Sequence, residues 1–177
     1  MTGPDKVTPQ SLRFERLLDA PVEKVWRFLI DPDLRARWFM GGPTEPVVGG
    51  KLGLTMNHDR LSDEDVPTPE RFRSHLGANW AERILRIEAP HLLAFTWDEG
   101  KAGEVTIELA QEEDGKTRLI LTHAGLRGRE DAENFGSGWH SHLAALERRV
   151  RGDGVANFWA LHGESEAAIR EALAHNS

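Results

Sequence analysis

Apolar and polar residues alternate along a run of middle segments: WAERILRIEA, HLLAFTW, EVTIELA and TRLILTH. A period of two predicts strands, and the turn chemistry between them (Pro90, then DEGKAG, then EEDG) joins them as an antiparallel meander. In EVTIELA, Val105, Ile107 and Leu109 alternate with Glu104, Thr106 and Glu108, the pattern of a sheet with one wet face. Leu93, Phe95 and Trp97 share a face in the strand before, and Leu119, Leu121 and His123 in the strand after, so His123 is expected to point inward. Upstream, LRFERLL over 12–18 predicts another strand. PVVGGKLGLTM predicts one more, with Leu52, Leu54 and Met56 on one side.

The period changes to that of a helix in three places. In DAPVEKVWRFLI a proline suited to a first turn precedes Val22, Val25, Trp26 and Leu29, with Asp19 or Ala20 at its N-terminus. DPDLRARWF repeats the device with Asp31 as N-cap, so two short helices follow the first strand. Late in the chain, Trp139, Leu143, Leu146 and Val150 form one stripe at helical spacing, between an acidic start and a basic end that suit the helix dipole. That helix is expected to stop near Gly152 and Gly154. The tail carries a narrower stripe of Ala168, Ile169, Ala172 and Leu173. Residues 58–78 are polar, hold Pro67 and Pro69, and read as a long surface connection, a lid or a disordered loop. The expected division is a domain over 1–154, with 155–177 as a helical extension packed on it.

At 177 residues one core is expected. The net charge of −7 argues against nucleic acid as a partner. Cysteine is absent, so disulfides, thiolate nucleophiles and thiolate-bound metals are excluded. No Tyr is present, so no phenol can serve as acid, base or nucleophile. The first ten residues, MTGPDKVTPQ, do not read as a leader, and no apolar run approaches a membrane span. A cytoplasmic location without membrane contact is the expectation. The GGK of PVVGGKLGL fits neither phosphate-loop spacing, and no nucleophile elbow is present.

The HSH of SGWHSHLAALERRV suggests a metal site, but residues two apart on a helix are rotated by about 200°, so His140 and His142 cannot share an ion. No metal and no cofactor is expected. One of these histidines is expected to face solvent and the other to edge a cavity, where a lone imidazole could act as acid or base. The carboxylate runs of 63–65 and 112–114 read as solvated turns. Of the six tryptophans, Trp26 and Trp159 are assigned to packing, while Trp38, Trp80, Trp97 and Trp139 fall at element ends where they could line a pocket.

In their order, DAPVEKVWRFLIDPDLRARWF, VVGGKLGLTM, RILRIEAPHLLAFTW, VTIELAQEEDGKTRLILTHAGL and GWHSHLAALERRV resemble the START/Bet v 1-like (SRPBCC) superfamily, in its branch similar to the activator of Hsp90 ATPase, called AHSA1-like. The resemblance covers about Leu12 to Arg151. It implies an α+β helix-grip fold, a curved antiparallel sheet wrapped around a long C-terminal helix, with a cavity between them for a small hydrophobic or aromatic molecule. The expected lining is Trp38, Phe39, Leu54, Met56, Trp80, Phe95, Trp97, Val105, Ile107, His123, Phe135, Trp139, His142 and Leu143. Catalysis is not required by this reading. Its alternatives are a co-chaperone or protein-interaction domain acting in stress response, and a cyclase- or aromatase-like enzyme using His123 or His142 as proton shuttle. A homodimer fits any of the three. The 58–78 segment and the tail after Gly154 have no counterpart in the resemblance. Gly136 and Gly138, costly inside a helix, are expected to leave room beneath it for a ligand.

Overall fold

The alternating segments become one antiparallel sheet. In the computed structural model, which describes residues 5–175, β1 (Lys6–Val7), β2 (Ser11–Leu18), β3 (Lys51–Thr55), β4 (Asn79–Glu88), β5 (Leu92–Thr96), β6 (Glu104–Gln111) and β7 (Thr117–Ala124) lie in the order β1-β2-β7-β6-β5-β4-β3. β1, two residues long, carries too short a pattern to predict. The register places His123 between Leu12 of β2 and Val105 of β6, all three fully buried, so the inward orientation of His123 holds. β4 is bulged between Ile84 and Arg86, which bends the sheet and adds to its twist.

Two short helices follow β2: α1 (Val22–Ile30) and α2 (Pro32–Arg35). Asp31 caps α2, its carboxylate accepting from the backbone N–H of Asp33 and Leu34. α2 lasts one turn, and Arg35 explains where the chain goes next. Its guanidinium is buried with no carboxylate in contact among the described residues, Asp31 acting on it only through space, and donates to the carbonyls of Leu29, Ile30, Met40, Gly42 and Gly53 and to the Thr44 hydroxyl. Burial lowers its pKa to about 10, which leaves it protonated at neutral pH. This cation ties the 39–44 turn to β3 and fixes Phe39 and Met40. Gly53 serves the same junction: its N–H bonds Pro43 O at 2.7 Å, and a Cβ there would lie 2.8 Å from that oxygen.

The long helix α4 (Arg129–Arg151) crosses the sheet and ends at Gly152 in a left-handed conformation (φ 87°). Its stripe of Trp139, Leu143, Leu146 and Val150 is buried, as the spacing predicts. The architecture is the expected α+β helix grip. α5 (Phe158–His175) then packs back along α4, burying Phe158, Ile169 and Leu173. No helix among the described residues is long and apolar enough to cross a membrane.

Residues 58–78, expected as a surface connection, a lid or a disordered loop, are folded against the helices. They form a 3₁₀ turn (His58–Arg60), a one-turn helix α3 (Glu70–Arg73) and an ordered path between them, with Leu61, Ser62 and Thr68 buried. Backbone bonds from Asp63 N to Val155 O and from Glu64 N to Ala156 O stitch the segment to the α4–α5 connection. Arg149 adds bonds to Asp63 and Leu61 O, and Ser62 Oγ accepts from Phe158 N. Farther along, Arg71 pairs with Glu166 of α5. The segment is a lid strapped to α4 and α5.

Candidate functional site

Between the lid, α4 and α5 lies a mainly apolar cleft of about 160 Å³. An apolar cavity of roughly 150 Å³ can hold one benzene ring. Phe39 of the 39–44 turn, Trp97 at the end of β5, and Phe135 and Trp139 of α4 pack ring against ring: Phe39 and Trp139 at 5.0 Å between centroids, Trp97 and Trp139 at 5.6 Å, Trp97 and Phe135 at 5.9 Å. Met56 comes from the end of β3, the lid contributes His58, Thr68, Phe72, His75 and Leu76, and α5 contributes Phe158, Trp159 and His162. Gly138 opens the wall on α4, since a Cβ built there meets nothing within 4 Å.

Of the residues expected to line a cavity, Phe39, Met56, Trp97, Phe135, Trp139 and His142 face this cleft. The others do not. Leu54, Val105 and Leu143 are core, and Trp38, Phe95 and Ile107 border, with Trp139, a void of only about 10 Å³ between sheet and α4. Trp38 is fixed by its Nε1–H bond to Phe28 O, and half-buried Trp80 donates to Glu82. His123 stands behind the site: its Nδ1 accepts from Trp139 Nε1 at 3.0 Å and its Nε2 bonds Ala102 O at 2.8 Å, so both nitrogens are taken. The hollow expected between sheet and long helix is filled by Trp139, and the open space lies on that helix's other flank.

The histidine pair separates as helical geometry requires. His142 is buried, with Nδ1 donating to Trp38 O at 2.8 Å. His140 turns toward α5, with Nδ1 2.7 Å from Ser165 Oγ and its ring against Phe14, so it is half-buried instead of facing solvent. The glycines separate too: a Cβ on Gly136 would press on Ile169 at 3.2 Å and Leu12 at 3.3 Å, so only Gly138 leaves room at the cleft.

Three imidazoles gather at the inner end. His58 and His142 lie 5.0 Å apart, edge to face, and both touch Phe158; His162 packs on Phe72 and Trp159. Burial lowers the pKa of His58 to about 4, helped by nearby His162 and opposed by Asp59. His142 is driven well below its ordinary value by burial and then by His58, and His162 is lowered by burial against the pull of Glu166. All three are neutral at pH 7. Among the described residues no set of His, Asp or Glu converges as a metal site needs. Two buried polar atoms at the cleft wall, His58 Nδ1 and Trp159 Nε1, have no hydrogen-bond partner.

Sequence reasoning missed His58, Phe72, Phe158 and His162 and gave Trp159 to packing alone. One signal was readable: Phe158, His162, Ser165, Ile169 and Leu173, all buried, recur at spacings of three and four and mark the inner face of α5.

Residues 19–151 match the family described as activator of Hsp90 ATPase homolog 1-like protein. A Bordetella parapertussis protein solved by NMR is 36% identical, over 98% of this chain and 96% of that one, with a TM-score of 0.78. Crystalline CalU16 from Micromonospora echinospora is 26% identical, over 97% of each chain, with a TM-score of 0.69. A conserved protein of unknown function from Enterococcus faecalis, 14% identical over 96% of this chain and 91% of its own, shares the fold at a TM-score of 0.66. No curated protein matches the sequence. The 98% span of the Bordetella match reaches past Gly154, so the tail has a counterpart there.

Proposed function

The chain belongs to the activator of Hsp90 ATPase homolog 1-like family, and from that premise we propose that it binds a small hydrophobic or aromatic molecule in the cleft between lid, α4 and α5. Domains of this fold hold small ligands or proteins in general. The observation that carries the specific reading is the hollow itself, walled by aromatic side chains and containing polar atoms left unbonded. A buried polar group without a partner costs roughly 1–3 kcal/mol, and a ligand that bonds it recovers part of that.

The co-chaperone alternative asks for an exposed apolar or charged patch in place of a hollow. The large apolar side chains standing exposed among the described residues are Val47 and Val48, on one turn, too small a patch to favour its apolar form. A cyclase-like reaction through His123 is disfavoured because both ring nitrogens are engaged, Nδ1 by Trp139 and Nε2 by the Ala102 carbonyl.

The test has two arms. Native mass spectrometry of protein purified from its own host should find a bound small molecule, and toluene titrated into the purified protein should give saturable NMR shifts at Phe39, Trp139 and Phe158. Gly138→Leu, which fills the open wall, should abolish both. Absence of any bound molecule together with absence of saturable shifts in the unaltered protein would end the reading.

A further inference from the structure

The hydrogen-bonding atoms around the cleft specify more than apolarity. Trp159 Nε1–H is a donor with no partner. The tautomers of two neighbouring histidines follow from what they bond. His142 Nδ1 lies 2.8 Å from a carbonyl, which only accepts, so the hydrogen is on Nδ1 and the lone pair on Nε2. Ser141 Oγ gives its hydrogen to the Ser137 or Gly138 carbonyl, at 2.9 and 3.0 Å, so it accepts from His162 Nδ1 at 3.1 Å. That also puts the His162 lone pair on Nε2. Neither Nε2 has a partner among the described residues. Trp159 is flanked by His58 and His162, with ring centroids 5.9 and 5.5 Å away. The cleft thus places two unpartnered N–H donors, that of Trp159 and that of neutral His58, beside the lone pairs of His142 and His162.

No Lys, Arg, Asp or Glu lines the cleft. A carboxylate entering it would lose its hydration with no cation to meet it, and would bring no hydrogen for the imidazoles. An ammonium would bring hydrogens but nothing for Trp159 to donate to. A ketone would satisfy Trp159 and leave the imidazole nitrogens facing bare oxygen. A hydroxyl accepts and donates at one atom.

Resting on the binding reading above, we propose that the cleft's ligand is an uncharged aromatic compound bearing a hydroxyl group, its oxygen accepting from Trp159 Nε1 and its hydrogen directed to an imidazole nitrogen of the cleft. The cavity volume fits one substituted ring, the size at which a single polar atom can reach the inner end.

Three probes separate the possibilities at neutral pH: ethylbenzene, para-ethylphenol and para-ethylbenzoate, titrated by NMR into the wild type and Trp159→Phe. Phenols remain protonated there. The expected result is that para-ethylphenol binds the wild type roughly fivefold to tenfold more tightly than ethylbenzene. It alone should displace the Trp159 indole N–H resonance, and para-ethylbenzoate should bind weakest. Trp159→Phe should erase the phenol's advantage over ethylbenzene, whatever the enlarged cleft does to the affinity of both. Equal binding of phenol and ethylbenzene would overturn the hydroxyl assignment while leaving the apolar cleft in place. Tightest binding by the benzoate would overturn the uncharged class, and a phenol preference surviving in Trp159→Phe would overturn the role of Trp159. If none of the three binds, the cleft reading itself fails. Should Trp159→Phe not fold, shown by collapse of its dispersed amide spectrum, the indole resonance of the wild type decides.

Discussion

Two glycines two positions apart in α4 have opposite surroundings, and substitution should separate them. Leucine at Gly138 enters open space and removes a poor helix former, so Gly138→Leu should leave stability unchanged or raise it by up to about 1 kcal/mol in urea unfolding. Leucine at Gly136 must displace Ile169 and Leu12 and should cost about 1–3 kcal/mol. A Gly138→Leu protein as unstable as Gly136→Leu would mean that the cleft is closed in solution. Arg35 presents the reverse problem, a buried cation whose charge is distributed over carbonyl oxygens. Arg35→Met should lose on the order of 3–5 kcal/mol, because it leaves those carbonyls buried and unbonded. Arg35→Lys should recover only part, since one ammonium cannot span acceptors on both the 39–44 turn and β3. Equal stability of Arg35→Met and wild type would remove the organising role.

At the level of elements, what could be read in advance follows how periodic each segment is. β4 to β7 and the stripe of α4 were legible because one face of each meets the core and the other meets water, which writes the period into the residues. The lid was legible only as a long polar connection, with a lid among its readings, and its contacts were not. It is held by backbone bonds to the α4–α5 connection and by single side chains such as Leu61 and Phe72, which leave no repeat behind. The cleft was half legible for the same reason: Phe39, Trp97 and Trp139 sit on periodic elements or their ends, while His58 and Phe72 sit on the lid. Trp139 was placed on the correct face, but no pattern says whether an indole fills a cavity or walls one. The lid should also differ from the sheet in motion. Beyond the stitched residues 61–64, α3 is fastened by the exposed Arg71–Glu166 pair and by Phe72 stacked on Trp159 at 5.1 Å. Exposed ion pairs contribute about 0–1 kcal/mol. Arg71→Ala should therefore leave the urea midpoint nearly unchanged, yet speed hydrogen exchange at amides 72–76 severalfold, with β5 to β7 unaffected. Uniform protection in lid and sheet after this substitution would argue against a separately opening lid.

Across the whole molecule, the imidazoles set the response to acid. His58, His123, His140, His142 and His162 all have pKa values lowered chiefly by burial, so the folded chain holds these rings neutral while the unfolded chain protonates them near 6.5. With more protons bound in the unfolded state, stability falls as pH falls, starting near 6.5 and continuing for His58 to about 4. Each ring contributes a slope of up to about 1.4 kcal/mol per pH unit, and His58 alone accounts for roughly 3 kcal/mol over its window. Carboxylates add nothing of that sign above about pH 4.5: Asp63, Asp131 and Glu166, all with lowered pKa, lose their stabilisation only below it. Glu147, raised by burial, acts in the opposite direction and, binding a single proton, offsets one ring at most. Urea unfolding between about pH 7 and 5 should therefore show a steady loss of several kcal/mol. His58→Phe, which keeps an aromatic ring against His142 and Phe158, should flatten part of that loss while matching or exceeding the wild type at pH 5. A wild-type stability independent of pH over this interval would mean that the three cleft histidines are solvated, and the walls around them open, in the folded protein.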